Sequence, residues 1–175
     1  MGILLQAHTS TSLAAVVDGV SISDNDITGP FSWGAIYLWA INLNCTGHGE
    51  PVGAPILGNI SITSNVVTGA ERGLKLRKHQ GMSGMPLMRD ISVMENVLSK
   101  GTAGIQFDDT SGVNGTGGGG NCNIYISNNE ITDNDIGIHI CKRSQEEGGI
   151  TGCDGILIEN NTLDNNTLFG MRNEG

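Results

Sequence analysis

One pattern of apolar and polar positions occurs five times along the chain. Each copy starts with two aliphatic residues separated by a single residue; two residues later comes an asparagine, and one further residue leads to another aliphatic. The asparagines follow one another at spacings of 40, 31, 33 and 32 residues: Asn25, Asn65, Asn96, Asn129 and Asn161. A unit that recurs at such intervals is typical of a solenoid in which every copy forms one structural turn.

The alternation inside each copy predicts short β-strands rather than helices. Apolar residues at every second position lie on one face of a strand, whereas a helix would place them on opposite sides. The first alternation occupies 20–22, 60–62, 91–93, 124–126 and 156–158. A second, usually opened by a glycine or alanine, occupies 36–38, 74–76, 105–107 and 138–140, and begins again at Met171. With the aliphatic after each asparagine, every unit supplies three strands, which must wind around an axis because no crossover helix is predicted.

The recurring asparagines lie at predicted corners and are expected to stack. Successive turns of a parallel solenoid are about 4.8 Å apart, so each asparagine has the next one directly above it. Asparagine tolerates the backbone conformations of corners, and its amide can bond to a matching amide one turn away. The sequence therefore predicts an asparagine ladder; the alternative is that these are ordinary turn asparagines.

This pattern resembles the right-handed parallel β-helix of the pectin-lyase-like superfamily, in which Ile-x-Ile and Gly-Ile-x-Ile strands alternate with an asparagine-bearing corner. The resemblance covers residues 20–175. It implies an all-β, right-handed parallel β-helix of about five to six coils, with variable loops on one side. Lyases, hydrolases, epimerases, phage tailspikes and inert fibres share that architecture, so the resemblance defines the fold more narrowly than the function.

Composition fits a single domain spanning residues 1–175, with residues 1–19 as a preceding coil or cap. The chain is 38% hydrophobic but only 4% aromatic, and its 27 glycines suit a protein made of corners. Exposed strand edges at the ends of a solenoid normally need covering. We therefore expect either an excerpt of a longer solenoid or ends covered by flanking domains or another copy of the chain.

Charge and hydropathy narrow the choice of partner. The net charge of −9 argues against nucleic acid and anionic membrane surfaces, which are bound through clustered lysine and arginine. No apolar run is long enough to span a bilayer.

Differences in length between the copies are concentrated after the second alternation, at 40–58, 78–89, 109–122 and 142–154. Insertions in a solenoid gather on one side, which is commonly the binding face. In the family that this chain resembles, the strand before such loops forms the floor of a groove for extended polysaccharide. That resemblance implies a polysaccharide partner and an extracellular, periplasmic or cell-surface location.

The outward positions of the second alternation concentrate reactive side chains. Stacking the copies predicts one column of Tyr37, Lys75, Gln106, His139 and Arg172. It predicts a neighbouring column of Trp39, Arg77, Asp108, Cys141 and Glu174. The outward residues of the first alternation are blander: Ser21, Ser61, Ser92, Tyr125 and Leu157. This contrast is the strongest functional signal in the chain.

Such a set suits an acidic sugar. Lys75, Arg77 and Arg172 are expected to neutralise a uronate carboxylate, which acidifies the C5 proton and prepares β-elimination or C5-epimerisation. Trp39 offers a stacking surface for a sugar ring, and Gln106 offers hydrogen bonds.

Proton transfer needs a base and an acid. Lys75 is one candidate base, with its pKa lowered by the neighbouring Arg77, and His139 is the other. Tyr37 or His139 is the candidate acid. Residues 104–109 are loosely similar to the Asp-bearing strand of mannuronan epimerases, although the histidine that should follow is absent.

Three other interpretations remain open. Asp108 and Glu174, two coils apart at about 9.6 Å, form a candidate pair for inverting glycoside hydrolysis. A non-catalytic fibre, adhesin or tailspike-like module would use the solenoid only for length. In a third interpretation, the outward columns are an ordinary solvated polar face.

Cofactors and cysteines leave further alternatives. Asp108, Asp109 and the corner at 133–135 are candidate ligands of a calcium ion. Asp and Asn in tight corners need no metal, however. No other cofactor is predicted. The cysteine positions fit a Cys122–Cys153 or Cys141–Cys153 disulfide, or buried thiols.

Overall fold

A computed structural model describes residues 2–9, 15–42, 56–79, 87–109, 121–142 and 154–173. These residues form sixteen strands and no helix, so none of them offers a helix that could cross a membrane. The strands are Ile3–Thr9 (β1), Val16–Ser23 (β2), Asp26–Thr28 (β3), Ile36–Asn42 (β4), Ile56–Thr63 (β5), Val66–Thr68 (β6), Arg72–His79 (β7), Leu87–Met94 (β8), Val97–Ser99 (β9), Ala103–Asp109 (β10), Asn121–Ser127 (β11), Glu130–Thr132 (β12), Ile136–Lys142 (β13), Asp154–Glu159 (β14), Thr162–Asp164 (β15) and Phe169–Asn173 (β16).

Three parallel sheets run the length of the described chain. Sheet 1 has the order β1-β4-β7-β10-β13-β16, sheet 2 the order β2-β5-β8-β11-β14, and sheet 3 the order β3-β6-β9-β12-β15. Every pairing is parallel. Each sequence copy gives one strand to each sheet, and β1 adds a sixth to sheet 1. The predicted all-β parallel solenoid is confirmed, while the hand of its winding stays a prediction.

Stacked aliphatic side chains fill the space between the sheets. In the central coils the predicted inward positions are almost completely buried, among them Ile62 of sheet 2, Leu98 of sheet 3 and Ile105 of sheet 1. Because consecutive strands are in register, aliphatics of one coil pack directly on those of the next. This continuous column of apolar contacts is the core of the solenoid.

The predicted asparagine ladder is confirmed. The side-chain amide of Asn65 donates to Oδ1 of Asn96 at 2.9 Å, and that of Asn96 donates to Oδ1 of Asn129 at 2.9 Å. The same two Oδ1 atoms also accept the backbone N–H groups of Asn65 and Asn96, both at 3.0 Å. Each amide nitrogen further reaches a carbonyl of the preceding coil, such as Ile62 O at 2.9 Å from Asn96. Equivalent amide contacts tie Asn25 to Asn65 and Asn129 to Asn161.

The strained corner position differs from the expected one. The residue with left-handed backbone precedes the ladder asparagine, with φ between 54° and 57°: Asp24, Ser64, Glu95, Asn128 and Asn160. The asparagine itself is selected by its amide, which links neighbouring coils. Its tolerance of unusual φ is therefore not the reason for its recurrence.

A second, shorter ladder was not anticipated from the sequence. Asn134 donates through its amide to Oδ1 of Asn166 at 3.3 Å, and its own Oδ1 accepts the backbone N–H of Gly101 at 2.9 Å. Both asparagines lie five residues after a member of the first ladder, which is the spacing that marks them.

The glycine that opens several strands of sheet 1 has a steric cause. A Cβ atom on Gly104 would lie 2.2 Å from Cγ2 of Ile131 and 2.8 Å from the carbonyl oxygen of Gly137. Sheet 1 and sheet 3 approach each other closely at this corner, and only glycine leaves room for the aliphatic of sheet 3. The variable stretches predicted after sheet 1 lie largely outside the described residues.

Candidate functional site on sheet 1

The strands of sheet 1 bring the predicted reactive residues into two columns. Paired positions link Tyr37 to Lys75 and Trp39 to Arg77. Lys75 then pairs with Gln106 and Arg77 with Asp108, while Gln106 pairs with His139 and Asp108 with Cys141. Arg172 pairs with His139 at the end of the first column. Glu174, predicted for the second column, lies outside the described residues.

Five of these residues form a compact group, which we call the outer cluster: Tyr37, Trp39, Lys75, Arg77 and Asp108. Tyr37 is 0% exposed and Lys75 is 6% exposed. An ordinary solvated polar face would expose both side chains, so that interpretation does not fit the centre of the cluster. A buried lysine is rare and needs compensating partners.

Asp108 is the anionic partner of the cluster. Its Oδ2 lies 3.4 Å from Nζ of Lys75 and 3.7 Å from Nε of Arg77. These three side chains are 7%, 17% and 19% exposed for Lys75, Arg77 and Asp108, respectively, so solvent screens the attraction only partly. Removing one member would leave an uncompensated buried charge.

Aromatic rings supply the other compensation. Tyr37 and Trp39 stack with ring centroids 5.6 Å apart and an interplanar angle of 7°. Nζ of Lys75 lies 5.5 Å from the Tyr37 centroid, and Cζ of Arg77 lies 5.5 Å from the Trp39 centroid. Each cation over a ring face contributes about 0.5–2 kcal/mol, more where water is excluded.

Within the part of the chain that the structure describes, three polar atoms of the outer cluster are buried without a hydrogen bond of acceptable geometry: the Tyr37 hydroxyl, Nε1 of Trp39 and Nε of Arg77. Arg77 Nε has only its longer contact with Asp108. Buried polar groups in folded proteins are almost always bonded, and each exception costs about 1–3 kcal/mol. All three can donate, so together they suit a ligand rich in acceptor oxygens.

Burial alters the pKa values of two groups in the cluster. Desolvation lowers the pKa of Lys75 below its usual 10.5; Asp108 opposes this change, and Arg72 and Arg77 add to it. The predicted direction is therefore found, but burial is its main cause and Arg77 is a minor one. Desolvation also raises the pKa of Tyr37 above 10.0, against the influence of the nearby Arg77 guanidinium. Lys75 consequently loses its proton more readily than an ordinary lysine, and Tyr37 keeps its proton.

Gln106, His139 and Cys141 form a second group beside the outer cluster. Nε2 of Gln106 donates to Sγ of Cys141 at 3.3 Å, and Sγ lies 3.3 Å from Nδ1 of His139. His139 is two strands of the sheet away from Lys75, about 10 Å by strand spacing. The two candidate bases therefore do not share one reacting centre.

Arg172 is not brought to the cluster. It lies three strands from Lys75, about 14 Å away, and its Cζ is 5.6 Å from the ring centroid of Phe169. The predicted grouping of three cations around one carboxylate is therefore reduced to Lys75 and Arg77.

Arg72 belongs to the site and was missed. Its Nε bonds to Oε1 of Gln106, and its NH1 contacts Oε1 of Glu71 at 2.6 Å and the carbonyl oxygen of Ser32 at 2.8 Å. Arg72 fixes the amide of Gln106 and extends the positive charge behind Lys75. Its register partner Ala103, and Ile136 at the equivalent position of the next strand, are aliphatic and gave no signal that its side chain would turn towards this face.

The candidate calcium ligands have other contacts. Asp108 faces two cations, and the Asn134 amide belongs to the second ladder. The side chain of Asp109 lies outside the described part of the chain. Within that part, no group of three His, Cys, Asp or Glu side chains is arranged to hold a metal ion.

Comparisons of the chain with protein-family models, with curated proteins and with solved structures give no match.

Proposed function

We propose that the outer cluster binds an acidic polysaccharide and catalyses β-elimination at a uronate residue. One observation carries this proposal: Lys75, buried and with a lowered pKa, lies beside three donors that make no hydrogen bond of acceptable geometry within the described residues. A uronate supplies the missing acceptors through its carboxylate and hydroxyl oxygens. Trp39 contributes an aromatic surface whose polar edge meets the sugar.

The chemistry assigns a role to each member. Arg77 binds the uronate carboxylate and stabilises the negative charge that develops when the C5 proton leaves. Neutral Lys75 takes that proton as the C5–H bond breaks, and a double bond forms as the bond from C4 to its oxygen breaks. Tyr37, protonated at neutral pH, donates its proton to the departing oxygen. Asp108 positions the side chains of Lys75 and Arg77.

Elimination fits this arrangement better than C5-epimerisation. Lys75 and Tyr37 are neighbours on the same face of sheet 1, with Nζ 5.5 Å from the phenol ring centroid. Elimination can remove and supply protons from one side of the sugar, whereas epimerisation needs a donor on the opposite side. Glycoside hydrolysis would need Asp108 as a catalytic carboxyl group, yet Asp108 is engaged by two cations.

The test uses a panel of polyuronates with neutral glucans as controls. Elimination produces a conjugated double bond that absorbs ultraviolet light, and we expect this absorbance only with uronates. Lys75→Met should reduce the rate by at least about a hundredfold, in line with the loss of a general base. Lys100→Met, which alters an exposed lysine at a corner, is the matched control and should keep full activity.

Other outcomes distinguish the alternatives. New reducing ends without the absorbance would indicate hydrolysis, and deuterium entering C5 from heavy water without chain cleavage would indicate epimerisation. Full activity of Lys75→Met would overturn the assigned base. Absence of both turnover and polyuronate binding would overturn the proposal and favour a non-catalytic fibre or adhesin module.

A further inference from the structure

Cys141 and His139 are adjacent outward residues on β13, where alternate side chains share a face. The Cys141 sulfur is a thiol and is partly exposed. It lies 3.3 Å from Nδ1 of His139, within range of proton transfer, and 3.3 Å from the donating amide of Gln106. A histidine beside a thiol favours the thiolate, and an N–H donor stabilises the resulting charge.

From this contact pair we infer a modification site: Cys141 is an activated thiol that forms a mixed disulfide with small-molecule disulfides. The thiol proton moves from Sγ to Nδ1 of His139, giving a thiolate and an imidazolium. The thiolate attacks one sulfur of the small disulfide, the old sulfur–sulfur bond breaks, and the second half leaves as a thiolate. One sulfur–sulfur bond forms and one breaks, so no additional oxidant is required.

The charged groups around the pair favour the thiolate. On β10, Asp108 is the register partner of Cys141, but its carboxylate is 3.4 Å from Lys75 and 3.7 Å from Arg77. On β16, Arg172 is the register partner of His139. Among the described residues, Arg172 is the cation on a strand next to the pair, whereas Lys75 and Arg77 lie one strand beyond Asp108 and offset its charge; Glu174 lies outside these residues. A cation on the neighbouring strand and a carboxylate already paired with two cations favour a thiolate at Cys141.

The proposal predicts an unusual pH dependence. We would incubate the native protein with oxidised glutathione, quench at intervals, and measure the adduct on each cysteine-containing peptide by mass spectrometry. Near pH 6 an ordinary thiol is well under about 1% thiolate, so a reference cysteine peptide reacts slowly. At this pH we expect Cys141 to react at least about tenfold faster than that peptide. Its rate should fall only when the pH is lowered further.

Two variants assign the effect. His139→Gln should remove the enhancement and restore the steep pH dependence of an ordinary thiol, whereas Cys141→Ser should remove the adduct from that peptide. Circular dichroism verifies that each variant is folded. Should His139→Gln fail to fold, the pH profile of the unaltered protein still decides. An absent Cys141 adduct, or a rate that follows the reference peptide across pH, would overturn the proposal. No polysaccharide is needed, so failure of the proposed elimination activity leaves this test intact.

Discussion

The asparagine ladder and the outer cluster are two buried polar arrays built by the same stacking of coils, yet their hydrogen bonding differs. In the ladder, Asn96 uses its amide nitrogen on the Asn129 side chain and on two carbonyls, and its Oδ1 accepts from Asn65. In the outer cluster, the Tyr37 hydroxyl and Nε1 of Trp39 make no hydrogen bond of acceptable geometry with the described residues. One array is complete in itself, whereas the other presents donors without acceptors.

This difference in hydrogen bonding indicates that the ladder stabilises the fold, whereas the outer cluster serves a function. Satisfied buried hydrogen bonds stabilise a fold modestly, but removing one of the bonded groups costs more, because its buried partners are left without a hydrogen bond. Unsatisfied donors and a buried lysine reduce stability, and such a loss of stability is typical of ligand-binding and catalytic sites. Substitutions in the two arrays should therefore have opposite consequences for stability and activity.

The largest effect on stability is expected from breaking the middle of the ladder. Asn96→Ala removes both ladder contacts of Asn96 and leaves the backbone N–H of Asn65 without its acceptor. We expect a loss of about 2–4 kcal/mol in the free energy of unfolding, measured by urea denaturation. Asn25→Ala, at a less buried rung, is the matched comparison and should cost roughly half as much. Equal and negligible losses of unfolding free energy in both variants would show that the ladder does not stabilise the fold.

The next effect is a pH dependence that belongs to the outer cluster. Because the folded protein lowers the pKa of Lys75 below 10.5, the unfolded chain binds more protons between the two values. The cost of charged Lys75 is therefore complete below its folded pKa and is relieved as the pH rises towards 10.5. Tyr37 acts oppositely above pH 10.0, where the unfolded chain ionises first and stability falls.

Comparing the unaltered protein with Lys75→Met isolates the lysine contribution. The unaltered protein should gain unfolding free energy relative to Lys75→Met as the pH rises from neutrality towards 10.5, as followed by urea denaturation at several pH values. A difference that stays constant across this range would contradict the lowered pKa. Elimination activity should fall when the pH is lowered, because acidification protonates Lys75.

Much of the ladder could be predicted from the sequence, because stacking converts a recurring letter into a column. The same reasoning placed Tyr37, Lys75 and Asp108 on one face in the correct register. Burial of Tyr37 and Lys75 could not be predicted, because outward strand positions are ordinarily solvated and their covering depends on tertiary packing. The direction of the Arg72 side chain could not be predicted either, since the equivalent positions of the next strands hold the apolar residues Ala103, Ile136 and Phe169.

A smaller effect, of opposite sign to the ladder variants, is expected at Tyr37. Tyr37→Phe keeps the ring that stacks on Trp39 and removes only the hydroxyl that has no hydrogen-bond partner. We expect the free energy of unfolding to stay constant or rise by up to about 1 kcal/mol, because the cost of burying an unbonded hydroxyl disappears. Elimination should nevertheless be lost with the proton donor. A destabilisation above about 1 kcal/mol would instead indicate that the hydroxyl is bonded to the Arg77 guanidinium.

The smallest effect is expected at Arg172. The sequence grouped this residue with Lys75, whereas the structure places it three strands away. Its guanidinium packs on the exposed ring of Phe169, and such a surface contact contributes about 0.5–1 kcal/mol. Arg172→Gln should remove this contact and leave the elimination rate within about twofold, whereas Arg77→Gln should abolish elimination. A large loss of activity in Arg172→Gln would mean that the sugar spans the face from Lys75 to β16, and the reacting site would then be longer than the outer cluster.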